Sequence, residues 1–208
     1  MAEILDGRRP EAIEEAADLI RLGYLVAFPT DTLYGVGADV SNPDAIEKLY
    51  AAKNRSRDKG IPVLLASKSD LDNIAEDIAP SASALMDRFW PGPLTLILRK
   101  RADLAAELSP NPGIAVRVPG NKIAQSLIRR VGGAIAATSA NQSGSEPALT
   151  AEEARLALGD SIAAVIDGGP VQFGVASTIV DFTSSPPRLI RPGPIPVSDL
   201  PVGEMDLA

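Results

Sequence analysis

Apolar residues along this chain recur by turns at helical spacing and in short unbroken runs. Ile13, Ala16, Ala17 and Ile20 lie three or four residues apart between Pro10 and Leu22, with Gly23 as a stop, which predicts an opening helix with one face toward a core. The run Tyr24–Phe28 ends at Pro29 and predicts a buried strand that delivers the polar segment Thr30-Asp31-Thr32 to its tip. Asn42-Pro43 opens a second helix with Ile46, Leu49 and Tyr50 on its apolar face; it runs into a basic stretch at Lys53, and Ile61–Ala66 is the next buried strand.

The alternation continues with helices predicted at Ser81–Trp90, Asn121–Val131 and Ala151–Leu158, the last opened by a capping-box pattern of Thr150 with Glu153. Further strands are predicted at Leu94–Leu98, Ile114–Val118, Ala134–Thr138, Ala163–Ile166, Thr178–Phe182 and Leu189–Ile190. Such trading of helix and strand predicts an α/β or α+β sheet with covering helices. No repeat or composition break divides residues 1–208, so a single domain is expected. The Pro-rich finish from Pro186 to Pro201 is expected to lie extended along the surface. Gly35-Val36-Gly37 lacks the third glycine of a dinucleotide fingerprint and reads as turn or bulge residues, and no G-x-x-x-x-G-K-[ST] is present.

Composition removes several chemistries. With neither cysteine nor histidine there is no thiol nucleophile, no Ser-His-Asp machinery, no disulfide and no His- or Cys-ligated metal. Catalysis must then rest on Lys, Arg, carboxylates, hydroxyls, amides and backbone donors. The net charge of −7 argues against non-specific coating of nucleic acid. The absence of a ~20-residue apolar stretch and the acidic start at Glu3 and Asp6 predict a soluble, cytoplasmic protein with no membrane partner.

Against that acidic background, Lys53, Arg55, Arg57 and Lys59 stand within seven residues between a helix and a strand. They form a candidate polyphosphate clamp, because Lys supplies a point charge and Arg a planar fork for two phosphate oxygens; a solvated charged loop is the plainer alternative. Polar clusters occur at other strand ends: Thr30-Asp31-Thr32, Thr138-Ser139-Ala140-Asn141 and Ser177-Thr178. Each alone suits turn or cap chemistry, and only their convergence would make a site. Arg117, between Val116 and Val118, needs an anionic partner or solvent, and a structural ion pair and a bound carboxylate are equally open.

Taken in order, the chain resembles the YrdC/TsaC family of threonylcarbamoyl-AMP synthases. The residues that carry the resemblance are Phe28-Pro29-Thr30-Asp31-Thr32-Leu33-Tyr34-Gly35, Lys53-x-Arg55 with Lys59, Val116-Arg117-Val118-Pro119, Ser139-x-Asn141, Ser177-Thr178-Ile179-Val180-Asp181 and Arg191-Pro192-Gly193. The resemblance implies a twisted mixed sheet with flanking helices around a deep, positively lined cavity. It implies a nucleotidyltransferase reaction that joins L-threonine, bicarbonate or carbon dioxide, and ATP into threonylcarbamoyl-adenylate and pyrophosphate. Other proteins then transfer the group to adenosine 37 of tRNAs reading codons that start with A. By the same resemblance Lys53 and Arg55 are catalytic, and Lys53, Arg55, Lys59, Ser139, Asn141 and Arg191 bind ATP. Thr32, Arg117 and Ser177 bind threonine, Arg117 through the threonine carboxylate, Mg2+ accompanies the triphosphate, and no protein metal ligand is named. Some relatives place a histidine in the strand after the basic motif, where this chain reads Ile61-Pro62-Val63-Leu64-Leu65. With 208 residues, the sequence is expected to lack the extra C-terminal domain of longer relatives. The alternatives are a non-catalytic RNA-binding module, with possible tRNA binding, and a paralogue with another substrate.

Overall fold

The computed structural model describes residues 2–201; Met1 and residues 202–208 of the expected single domain lie outside them. Five helices form: α1 (Pro10–Arg21), α2 (Pro43–Lys53), α3 (Pro80–Phe89), α4 (Lys122–Val131) and α5 (Ala151–Leu158). Their starts follow local chemistry. Prolines stand at the first turn of α1, α2 and α3, the Asn42 and Asn121 side chains accept the first free N–H groups of α2 and α4, and Thr150 and Glu153 close the capping box of α5.

The strands are β1 (Glu3–Asp6), β2 (Val26–Pro29), β3 (Tyr34–Asp39), β4 (Val63–Leu65), β5 (Ala75–Glu76), β6 (Leu94–Lys100), β7 (Gly113–Arg117), β8 (Ala134–Ser139), β9 (Ala164–Asp167), β10 (Thr178–Asp181) and β11 (Arg188–Arg191). Among the described residues all belong to one mixed sheet in the order β1-β9-β2-β3-β8-β4-β7-β6-β10-β11, with β5 beside β6. The β2/β9 and β4/β7 pairs are parallel, while β2/β3 and β6/β7 are antiparallel. No described helix is long and apolar enough to cross a membrane.

Strand alternation sorts side chains onto two faces. Leu25 and Ala27 of the β2 region join α2, α3 and α5 in the larger core, whereas Val26 and Phe28 pack with α1 and α4 in the smaller one. α1 and α4 cover only the half of their face that includes β9, β2 and β8. Farther along, Leu96, Val116 and Val180 point into the larger core, so Thr95, Arg117 and Ile179 point the other way, onto a part of the face those helices leave open. That open part, bounded by Leu64 and Ala137 at the margin of the smaller core, is the floor of the site.

Two expectations are corrected. Gly35-Val36-Gly37 is neither turn nor bulge but the middle of β3, paired with β2. Phe28 stands opposite Gly35, and a Cβ at Gly37 would lie 2.9 Å from the Phe28 ring and 3.1 Å from Ile135. Glycine there makes room for the aromatic ring across the strand. The Pro-rich finish is not simply a surface tail: Arg188–Arg191 adds β11 to the sheet, and Ile195 and Leu200 are buried in the larger core.

Candidate active site

The open half-face holds a cavity of about 260 Å³ whose floor is Leu64, Thr95, Arg117, Ala137 and Ile179, on five different strands. Its walls are loops at strand ends: Thr30, Thr32 and Leu33 between β2 and β3, Ser139 at the end of β8, and Ala176 and Ser177 before β10. A second chamber is lined by Lys53, Asn54, Arg55, Ser56, Lys59, Ser139, Asn141, Ser143 and Gly144. Arg55 and Ser139 line both, so the two chambers meet there. Every expected site residue lies in one chamber or the other. Among the described residues no carboxylate lines either chamber, and cations do.

Arg117 is the most constrained of these cations. Its Nε donates to the Gly92 carbonyl at 2.9 Å, one terminal nitrogen donates to Thr32 Oγ1 at 2.8 Å, and the other donates to Asp31 Oδ1. Burial pulls its pKa down while the Asp31 carboxylate pushes it back up. Of the two partners left open for Arg117, the structural ion pair is made, and the guanidinium still lines the cavity.

Lys53, at the end of α2, is 2% exposed. Its ammonium donates to Ser139 O at 2.5 Å, to Asn141 O and to Asn141 Oδ1 at 3.3 Å, so three acceptors meet its three protons. Burial and the neighbouring Arg55 lower its pKa to about 8. Lys53 therefore ties the S-x-N segment to the basic loop. Arg55 folds back on that loop, donating through Nε to Lys59 O at 3.1 Å and through a terminal nitrogen to Gly60 O at 2.8 Å, with other N–H groups left for the chambers. Lys59 is exposed at the second chamber. Arg57, counted with the basic run, turns away: it pairs with Glu47 and stacks 5.4 Å from the Tyr50 ring centroid.

Arg191, on edge strand β11, reaches over to the start of β10, donating through Nε to Ser177 O at 3.0 Å and through a terminal nitrogen to Ser177 Oγ at 3.1 Å. Gly193 makes this approach feasible, since a Cβ there would stand 2.4 Å from the Thr178 backbone nitrogen. Sequence reasoning missed Thr95, whose hydroxyl is 2.7 Å from Ser177 Oγ, and gave Asp31 only a turn role. The available signal for Thr95 was strand alternation: it is the one polar position in the apolar stretch Leu94–Leu98.

The fold and site define a class: a twisted mixed α/β sheet carrying a cationic, hydroxyl-lined cavity of two joined chambers. The profile of the Sua5/YciO/YrdC family, described as "Telomere recombination", matches residues 18–193, and the chain belongs to that family. A Mycobacterium tuberculosis protein of similar length is 39% identical over 200 residues, covering 94% of this chain and 92% of its own. The Bacillus subtilis threonylcarbamoyl-AMP synthase is 43% identical over 188 residues, covering 88% of this chain and 54% of its own, so the chain spans about half of that relative. The crystal structure of Pyrococcus abyssi Sua5 complexed with L-threonine superposes with a TM-score of 0.91 at 38% identity, over 96% of this chain and 59% of that one.

Proposed function

We propose that this chain is a threonylcarbamoyl-AMP synthase, a nucleotidyltransferase that forms threonylcarbamoyl-adenylate and pyrophosphate from L-threonine, bicarbonate or carbon dioxide, and ATP. The observation that carries this is the pair of joined chambers. One is lined by Thr32, Arg117 and Ser177, the other by Lys53, Lys59 and Asn141, and Arg55 and Ser139 belong to both. Family membership and relatives named for the activity support it.

In this reading the first chamber holds threonine and the second the triphosphate. The threonine carbamate is already an anionic nucleophile, so its oxygen attacks the α-phosphorus and pyrophosphate leaves with the bond electrons, with no side-chain base required. The site's work is alignment and neutralisation of developing charge. Arg55, at the junction, stands where the α-phosphate would meet the carbamate, and Lys59 faces the outer phosphates. Lys53 contributes charge and holds the Ser139–Asn141 segment in place, while Arg191 lines the first chamber and holds Ser177. Magnesium enters as part of the Mg–ATP substrate, held by phosphate oxygens and water.

Downstream, a transferase acting on tRNA would consume the adenylate. Incubation with Mg–ATP, L-threonine and bicarbonate, followed by mass spectrometry, tests the proposal. Threonylcarbamoyl-adenylate is the expected product, and its absence from folded protein would refute the assignment.

A further inference from the structure

Two hydrogen-bond chains run along the walls of the first chamber. On one wall the Thr30 hydroxyl donates to Leu33 O at 2.6 Å, so its proton is taken. Thr30 Oγ1 also accepts the backbone N–H groups of Thr32 and Leu33 at 3.1 and 3.2 Å, which fill its lone pairs, and Thr32 Oγ1, 3.1 Å away, accepts from Arg117 at 2.8 Å. Arg117 thus holds the Thr32 hydroxyl at the cavity wall.

The second chain runs through Ser177. Arg191 can only donate, and it donates to Ser177 Oγ at 3.1 Å. Ser177 Oγ and Thr95 Oγ1 share one hydrogen bond of 2.7 Å, which uses one of their two protons. Both residues are 5% exposed, and both line the cavity. Whichever hydroxyl donates within the pair, the other has a proton and no acceptor among the described residues, and the cavity is where it can find one.

Resting on the functional reading above, we propose that Thr95 is a positioning residue for Ser177, and that the Arg191–Ser177–Thr95 chain holds one hydroxyl proton toward the cavity so that this wall selects a hydrogen-bond acceptor, the carboxylate of the bound amino acid. Ser177 has two contacts that fix its hydroxyl, and Arg191, exposed on an edge strand, is the looser of them. Thr95 lies within β6, beside Ile179 of β10, and sets Ser177 from the rigid side. A threonine in the middle of an apolar strand thus has a use that strand propensity alone does not explain.

Calorimetric titration of L-threonine, ATP and the carboxylate-free analogue L-threoninol into the full chain tests this, with melting temperature read alongside. Thr95→Val, close in shape and a good strand former, is expected to weaken L-threonine binding about threefold to tenfold, the worth of one net hydrogen bond. ATP and L-threoninol affinities should stay within about twofold. Thr95→Ser should restore L-threonine binding, and in a Ser177→Ala background Thr95→Val should add nothing. If Thr95→Val fails to fold, Thr95→Ala carries the same comparison. Unchanged L-threonine affinity in the variant would overturn the inference, as would parallel losses for all three ligands or additive effects with Ser177→Ala. Failure of the folded wild type to bind L-threonine at all would instead overturn the functional reading on which the inference stands.

Discussion

Arg117 donates to the carboxylate of Asp31 in the interior of the protein, with the two residues 6% and 4% exposed. Asp31 Oδ1 also accepts the Gly120 N–H at 2.9 Å, while Oδ2 is buried without a hydrogen-bond partner. The pair joins the tip of β2 to the end of β7 and turns the rest of the guanidinium toward the cavity. A buried cation kept next to a ligand chamber needs such a counter-charge, because either member alone is costly to desolvate.

Asp31→Asn should therefore be strongly destabilising. The amide places an N–H group where Oδ2 has no acceptor and leaves Arg117 without an anion. The expected loss is about 3–5 kcal/mol, or a fall of roughly 6–20 °C in melting temperature for a chain of this size. Denaturant and thermal unfolding would read it, and a variant as stable as wild type would show that Arg117 is balanced elsewhere.

Arg55→Ala should weaken ATP binding at least about tenfold, since a charge-assisted phosphate contact contributes ~1.5–3 kcal/mol. Arg55 is half-buried in a loop at the end of α2, outside both apolar cores, so the fold should persist. Calorimetry with Mg–ATP checks this; unchanged affinity would place the phosphate clamp elsewhere.

Lys53 gives a pH signature. With its pKa lowered to about 8, it is charged in the free site below that pH and neutral above it. A bound triphosphate favours the charged form, so ATP binding near pH 8 should take up a proton, and Kd should rise with pH above 8 by up to about tenfold per unit. Titrations in two buffers of different ionisation enthalpy count that proton. The folding linkage has the opposite slope: between about 8 and the ordinary lysine value of 10.5 the unfolded chain binds more protons, so this group's contribution to stability rises as pH rises through that window. A pH-independent Kd between 7 and 9.5 would contradict the assignment.

Gly193→Ala puts a methyl group 2.4 Å from Thr178 N and 2.7 Å from Ala176 O, backbone atoms with little freedom to yield. The expected cost is about 1–3 kcal/mol. The displaced Ser177 should also lower kcat/KM for threonine by about tenfold or more. Melting temperature and initial rates measured together check both halves; a silent substitution would mean that β11 and the start of β10 separate freely.

Most of the fold was legible because its helices carry their own signals. Proline starts, Asn caps and the Thr150–Glu153 box set α1 to α5 within a residue or two of expectation. The strand β3 was not legible, since Tyr34-Gly35-Val36-Gly37 has two glycines where an apolar alternation would show, and their reason is Phe28 on the neighbouring strand. β1 was missed because Glu3–Asp6 is four residues long with two exposed positions. In the site, the cations and strand-end hydroxyls announced themselves by type. Asp31 and Thr95 did not, because an aspartate after a strand and a threonine within one are ordinary in those places, and only the register that sets them against Arg117 and Ser177 gives them a role.

The central claim is tested most directly by pyrophosphate release from Mg–ATP in the presence and absence of L-threonine and bicarbonate, with serine and glycine as competitors. Release that requires both threonine and bicarbonate is the predicted result. Release without either, or none from folded protein under any condition, would contradict the account and turn attention to RNA binding by the same cationic cavity.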